Sequence, residues 1–212
     1  VAILDVHDRE VAPEGESDAA ILQDPPDRQA NETRGGLRFE RVAELAVRLG
    51  SQGGDGPTNG CRTMGIPKMR PVEVLEQFYP VLFEEFSLRE GSGGAGEFRG
   101  GFGINYAIRL RRGEARVSMV MDHGRTGPQG VLGGKDGGTN TVEVSQDGKT
   151  YRPPHLSKDQ DIQIGVGDVV RVSTPGGGGF GDPARRDPAA IARDVARGYY
   201  TQAEAREKFG SQ

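Results

Sequence analysis

Ser173-Thr-Pro-Gly-Gly-Gly-Gly-Phe-Gly-Asp-Pro183 sets four consecutive glycines between a strand-like run and a proline-opened helical segment. Asp168-Val-Val-Arg-Val-Ser173 reads as a strand, Pro175 stops it, and Gly176 to Gly179 can adopt backbone angles that side chains forbid. A sharp, tight turn is expected there. Four adjacent N–H groups without side chains could also cradle an anion, so a ligand loop stays open as the second reading. The P-loop ending Gly-Lys-Ser/Thr is absent, and no lysine lies within the stretch.

Upstream of this string the signal is β. Ile104, Tyr106, Ile108 and Leu110 alternate with Asn105, Ala107, Arg109 and Arg111, the pattern of a strand with one buried face. Val117, Met119 and Met121 follow the Arg112-Gly113 turn and suggest a hairpin. Thr141-Val-Glu-Val144, a turn at Gln146-Asp-Gly148, and Asp161-Ile-Gln-Ile164 add strands at short spacing. Pro71 opens a short helix carrying Val72, Leu75 and Phe78 or Tyr79, and Pro80 ends it. Downstream, Asp187 caps a helix begun by Pro188 and closed by Gly198, and Thr201 to Glu204 has capping-box spacing for a second helix ending at Gly210. The expected fold is therefore mainly β (α+β): an antiparallel sheet or barrel with a C-terminal helical hairpin.

The front of the chain differs. Residues 1–50 read as an extended arm followed by an amphipathic helix from Arg38 to Leu49. Residues 51–67 read as a glycine-rich linker, and 68–212 as the β domain with its terminal helices.

Composition narrows the function. A chain of 212 residues with 34% hydrophobic and 6% aromatic residues is thin in core-forming side chains, so burial is expected to need a partner. Net charge is −4 and there is no tryptophan, which argues against nucleic acid as a partner. No apolar run reaches the roughly 20 residues of a membrane helix, so a cytoplasmic protein is expected. Cys61 is the single cysteine, consistent with a reducing compartment, and a silent thiol is the favoured reading over a nucleophile.

Few side chains suggest chemistry. Gly91-Ser-Gly-Gly-Ala-Gly96 satisfies the dinucleotide-binding spacing, but it runs into a strand rather than a helix and so lacks the dipole that would hold a pyrophosphate. Asp122, His123 and Arg125 form the best cluster of ionisable groups, at a strand-to-loop transition. His123 could transfer protons or meet a metal, with surface or interface packing as the alternative. His7 between Asp5 and Asp8, His155 after Pro153-Pro154, and Lys135 in its glycine loop are weaker candidates.

Four stretches together resemble the C-terminal part of the hydantoinase B/oxoprolinase family. They are Pro71-Val-Glu-Val-Leu-Glu-Gln-Phe-Tyr-Pro80, Ser92-Gly-Gly-Ala-Gly-Glu-Phe-Arg-Gly-Gly-Phe-Gly103, Gly130-Val-Leu-Gly-Gly-Lys135 and the four-glycine string. The resemblance covers about residues 68–210, in family order. It implies a subunit or fragment of an ATP-dependent hydantoinase/oxoprolinase-type amidohydrolase or of a related ketone carboxylase, with a non-catalytic structural subunit as the alternative. It also implies a small-molecule substrate and two partners, a hydantoinase A-like ATP-binding subunit and the remaining hydantoinase B-like body. ATP and a divalent metal are then expected in those partners, with no cofactor or metal held by this chain alone. Family B subunits are much longer, so the resemblance implies a piece: a separately encoded small subunit or a fragment of a longer polypeptide.

Overall fold

A computed structural model of the chain describes residues 2–7, 36–39, 50, 53–56 and 71–210. Its frame is two antiparallel sheets. The larger runs in the order β3 (Val81–Leu88), β4 (Ile104–Leu110), β9 (Val169–Ser173), β6 (Thr141–Gln146), β7 (Lys149–Tyr151). The smaller runs β2 (Gly36–Phe39), β1 (Ala2–His7), β5 (Glu114–Val120), β8 (Lys158–Ile164). Every strand pairing within the two sheets is antiparallel, and among the described residues neither sheet closes into a barrel.

The expected inward face of β4 forms, with Tyr106 against Val172 and Ile108 against Val170 on the neighbouring strand, but Ala107, expected on the other face, is buried as well. The hairpin expected between β4 and β5 does not form. Gly113 takes φ 72°, and the chain leaves one sheet to enter the other. The physical reason is that both strands carry a buried stripe. Tyr106, Ile108 and Leu110 from β4 meet Ala115, Val117 and Met119 from β5 in one core, with Val142, Val144, Ile164, Val170 and Val172 from the remaining strands. Strands from both sheets therefore bury their apolar sides in a common core, as in a β-sandwich.

Other local readings stand where they fell. Asp147 (φ 48°) and Gly148 (φ 73°) are both left-handed and join β6 to β7 as a two-residue hairpin turn. Helix α1 spans Val72–Phe78 and buries Leu75. Helix α2 (Pro188–Ala196) is capped by the Asp187 side chain, and α3 (Gln202–Phe209) carries a complete capping box between Thr201 and Glu204. Arg38 and Phe39, expected to begin a helix, lie in β2, paired with Ile3 and Ala2. The rest of that expected helix, 40–49, lies outside the described residues, as does Cys61. No helix among the described residues is long and apolar enough to cross a membrane.

Candidate functional site

The four glycines do not turn. Gly176 to Gly179 are buried, and none has a positive φ; the left-handed position comes only afterwards, at Gly181 (φ 75°). They run between other glycine-rich segments at backbone contact distance. Gly94 N donates to Gly177 O at 2.8 Å, Gly177 N to Gly101 O at 2.8 Å, Gly179 N to Lys135 O at 2.8 Å, and Val131 N to Gly179 O at 2.9 Å. A Cβ on Gly176 would stand 2.0 Å from Ser92 O, and one on Gly178 would stand 2.1 Å from Gln129 O. Glycine is required by close approach rather than by conformation, which replaces the expected tight turn with a backbone bundle. The bundle also weakens the ligand-loop reading. The amides of Gly94, Gly100, Gly177 and Gly179 already donate to backbone carbonyls, so they offer no nest to a phosphate.

Beside the bundle lies an ion network, buried at Arg99, Arg186 and Asp194 and open to solvent at Asp55, that the sequence did not reveal. Arg186 grips Asp55 with both terminal nitrogens, at 2.7 and 2.9 Å, and reaches Asp194 at 2.7 Å; Arg99 Nε donates to the same Asp194 at 2.9 Å. Arg99 also stacks 4.7 Å from the centre of the Phe102 ring, and Arg186 lies 5.4 Å from that of Phe209. Burial pushes the Asp55 carboxyl up, but the hydrogen bond and charge of Arg186 outweigh it and hold the group below its ordinary value. The charges in this network are matched, and the network ties α2 and the Asp55 segment to the glycine bundle. Asp55 and Arg186 are 131 positions apart, a separation that no local pattern signals.

The predicted cluster lies elsewhere, just past the end of β5. Asp122, His123 and Arg125 line an open cleft of about 360 Å³, and its other wall is His155, Leu156 and Lys158 at the entry to β8. His123 has φ 61°, and Leu156 opposite has φ 64°, both in the left-handed region that non-glycine residues rarely enter. Asn140 N donates to His123 O at 2.8 Å, and Ser157 Oγ donates to Met121 O at 2.9 Å, fixing the two walls. The His123 Nδ1 lies 3.3 Å from Thr126 O. A carbonyl only accepts, so Nδ1 carries the proton and Nε2 is left as the basic atom. Asp122 does not orient the ring. Its carboxylate takes a hydrogen bond from Lys158 Nζ at 3.0 Å, and that bond and charge lower its pKa. Such an arrangement can relay a proton beside fixed positive charge.

The weaker candidates separate. His155 joins His123 in the same cleft, a proximity that a separation of 32 positions concealed. Lys135 stays exposed while its backbone enters the bundle. His7 ends β1 opposite Glu114, and Asp8 lies outside the described residues. Among the described residues no three His, Cys, Asp or Glu side chains converge as metal ligands.

Comparison with known proteins fits this architecture. A model of the hydantoinase B/oxoprolinase family matches residues 33–183. The chain is 36% identical over 142 residues to 5-oxoprolinase 1 of Arabidopsis thaliana, covering 63% of this chain and 11% of that protein. It is 35% identical over 146 residues to caprolactamase subunit beta of Pseudomonas jessenii, covering 66% and 24% respectively. The crystal structure of the ATP-dependent caprolactamase from Pseudomonas jessenii superposes with a TM-score of 0.70 at 24% identity, over 99% of this chain and 33% of that one. The chain thus spans a quarter or less of the length of these two curated relatives. Because the matched span takes in every strand except β1 and all the glycine segments of the bundle, we conclude that the chain belongs to the hydantoinase B/oxoprolinase family.

Proposed function

We propose that this chain is a β-sandwich portion of a hydantoinase B-type component in an ATP-dependent enzyme that opens cyclic amides in the cytoplasm. It acts only with the rest of the B-like body and a hydantoinase A-like ATP-binding subunit. Activation of the amide at the expense of ATP, and any divalent metal, belong to those partners. The observation that carries this reading is one of extent: nearly the whole chain aligns with only 33% of the caprolactamase chain. Exposed Phe78 and Phe86, at 65% and 42%, also suit a module that meets further protein. His123 supplies proton transfer at the assembled site through Nε2.

A structural role is the second reading, favoured by the internally satisfied glycine bundle and the charge-matched ion network. Reconstitution separates the two. The full chain alone should show no ATP-dependent hydrolysis of 5-oxoproline, hydantoin or caprolactam, and addition of the partner chains should restore it. Activity of the isolated chain, or carboxylation of ketones in place of lactam opening by the complex, would overturn the proposal. Within the active complex His123→Asn is the informative variant, because asparagine tolerates the left-handed backbone at φ 61°. It should lower kcat by about 100-fold with assembly intact. Activity within a few-fold of the parent assigns the chain to the structural class.

A further inference from the structure

We propose that the cleft between the loop after β5 and the entry to β8 binds a small oxyanion, a carboxylate or phosphate group, through Arg125, Lys158, His123 and His155. This rests on the reading of that loop as the functional site and adds the class of ligand it takes.

Charge is the first argument. The ionisable groups lining the cleft are Asp122, His123, Arg125, His155 and Lys158. The one acid among them is already answered by Lys158 at 3.0 Å, and among the described residues Arg125 makes no ion pair. A net positive pocket therefore stands on a chain whose net charge is −4. The two imidazoles add N–H donors beside the Arg125 and Lys158 cations.

Geometry is the second. Both walls bend through left-handed non-glycine residues, His123 and Leu156, a conformation that persists only where the surroundings impose it. Here the surroundings are hydrogen bonds that join wall to wall: Met121 N to Ser157 O at 3.2 Å and Ser157 Oγ to Met121 O at 2.9 Å. The backbone of both walls is held in place before any ligand arrives. A volume of about 360 Å³ admits a small acid rather than a polymer.

The chain has three histidines, so proton NMR of the imidazole Hε1 signals reads the cleft directly, with His7 as internal reference. The full chain is titrated with sodium phosphate and, separately, with sodium succinate, at constant pH and ionic strength. Signals of His123 and His155 should move together and saturate with one Kd while that of His7 stays in place. The tighter of the two probes identifies the anion as phosphate or carboxylate. Arg125→Gln should weaken Kd at least about 10-fold, as loss of a charge-assisted contact does. Linear, unsaturated movement, movement shared by His7, or an unchanged Kd in Arg125→Gln would overturn the assignment. In the assembled enzyme, inhibition by phosphate or succinate supplies a second readout, and an inhibition constant unchanged by Arg125→Gln would equally overturn it. The two readings fail separately. Lost anion binding alongside an impaired His123→Asn removes only the oxyanion site, whereas saturable binding alongside a fully active His123→Asn removes only the proton-transfer role.

Discussion

At the scale of single residues, the glycines of the bundle separate two reasons for using glycine that look identical in sequence. Gly148 and Gly181 are there for φ, at 73° and 75°. Gly178 is there for room, with Gln129 O 2.1 Å from where a Cβ would sit. The distinction is measurable. Gly178→Val should cost about 3 kcal/mol or more in chemical denaturation, because the clashing atom is backbone and cannot rotate away. Gly165→Ala should change stability by less than about 0.5 kcal/mol, since the nearest atom to its added Cβ is a flexible Asp168 oxygen at 3.9 Å. Equal stability of the Gly178→Val chain and its parent would show that the segment is free to spread.

At the scale of elements, the C-terminal helices are locally well specified but depend on distant charges for their position. Caps at Asp187 and Thr201 start α2 and α3, while Phe102, Tyr200 and Phe209 form the apolar contact beneath them. The Arg186 network then fixes the contact. Arg186→Met would leave Asp194 buried without its closest partner, a loss of about 3–5 kcal/mol, and should expose the α2–α3 region to limited proteolysis first. The same network has a pH signature. Asp55 in the folded chain titrates below its ordinary value of 3.8 because the Arg186 bond and charge outweigh burial. Its stabilisation is therefore fully present above the unfolded value and is lost as pH falls through the folded one. The stability difference between the parent and Asp55→Asn, read by urea unfolding, should be large at pH 7 and shrink below about pH 4. A difference that persists or grows on acidification would show that Asp55 does not act as a charged partner.

At the scale of the whole molecule, the bundle joins segments that lie far apart in the chain, so regions without regular secondary structure behave as core. Amides of Gly94, Gly100, Gly177 and Gly179 bond to carbonyls across the bundle and should exchange with solvent as slowly as those of β4. Exposed Leu132, at the tip of its turn, should exchange fast. Hydrogen-exchange mass spectrometry or NMR tests this directly, and glycine amides exchanging at the rate of the Leu132 turn would reduce the bundle to a set of loops.

The sequence by itself determined the strands, helices and caps whose signals are local. The alternation of β4, the Asp147-Gly148 turn, the proline limits of α1 and the capping box of α3 each depend on residues within a few positions of one another. It also placed His123 at a strand end beside Asp122 and Arg125. Tertiary structure decided what those elements meet. It sent β5 to the other sheet, because two buried stripes satisfy one another across a core as well as along a hairpin. It paired Asp122 with Lys158 and brought His155 to face the same cleft. It also turned an apparent turn of four glycines into the middle of a bundle, because the atoms that forbid a side chain at Gly176 and Gly178 belong to Ser92 and Gln129, and no spacing rule within the string carries that information.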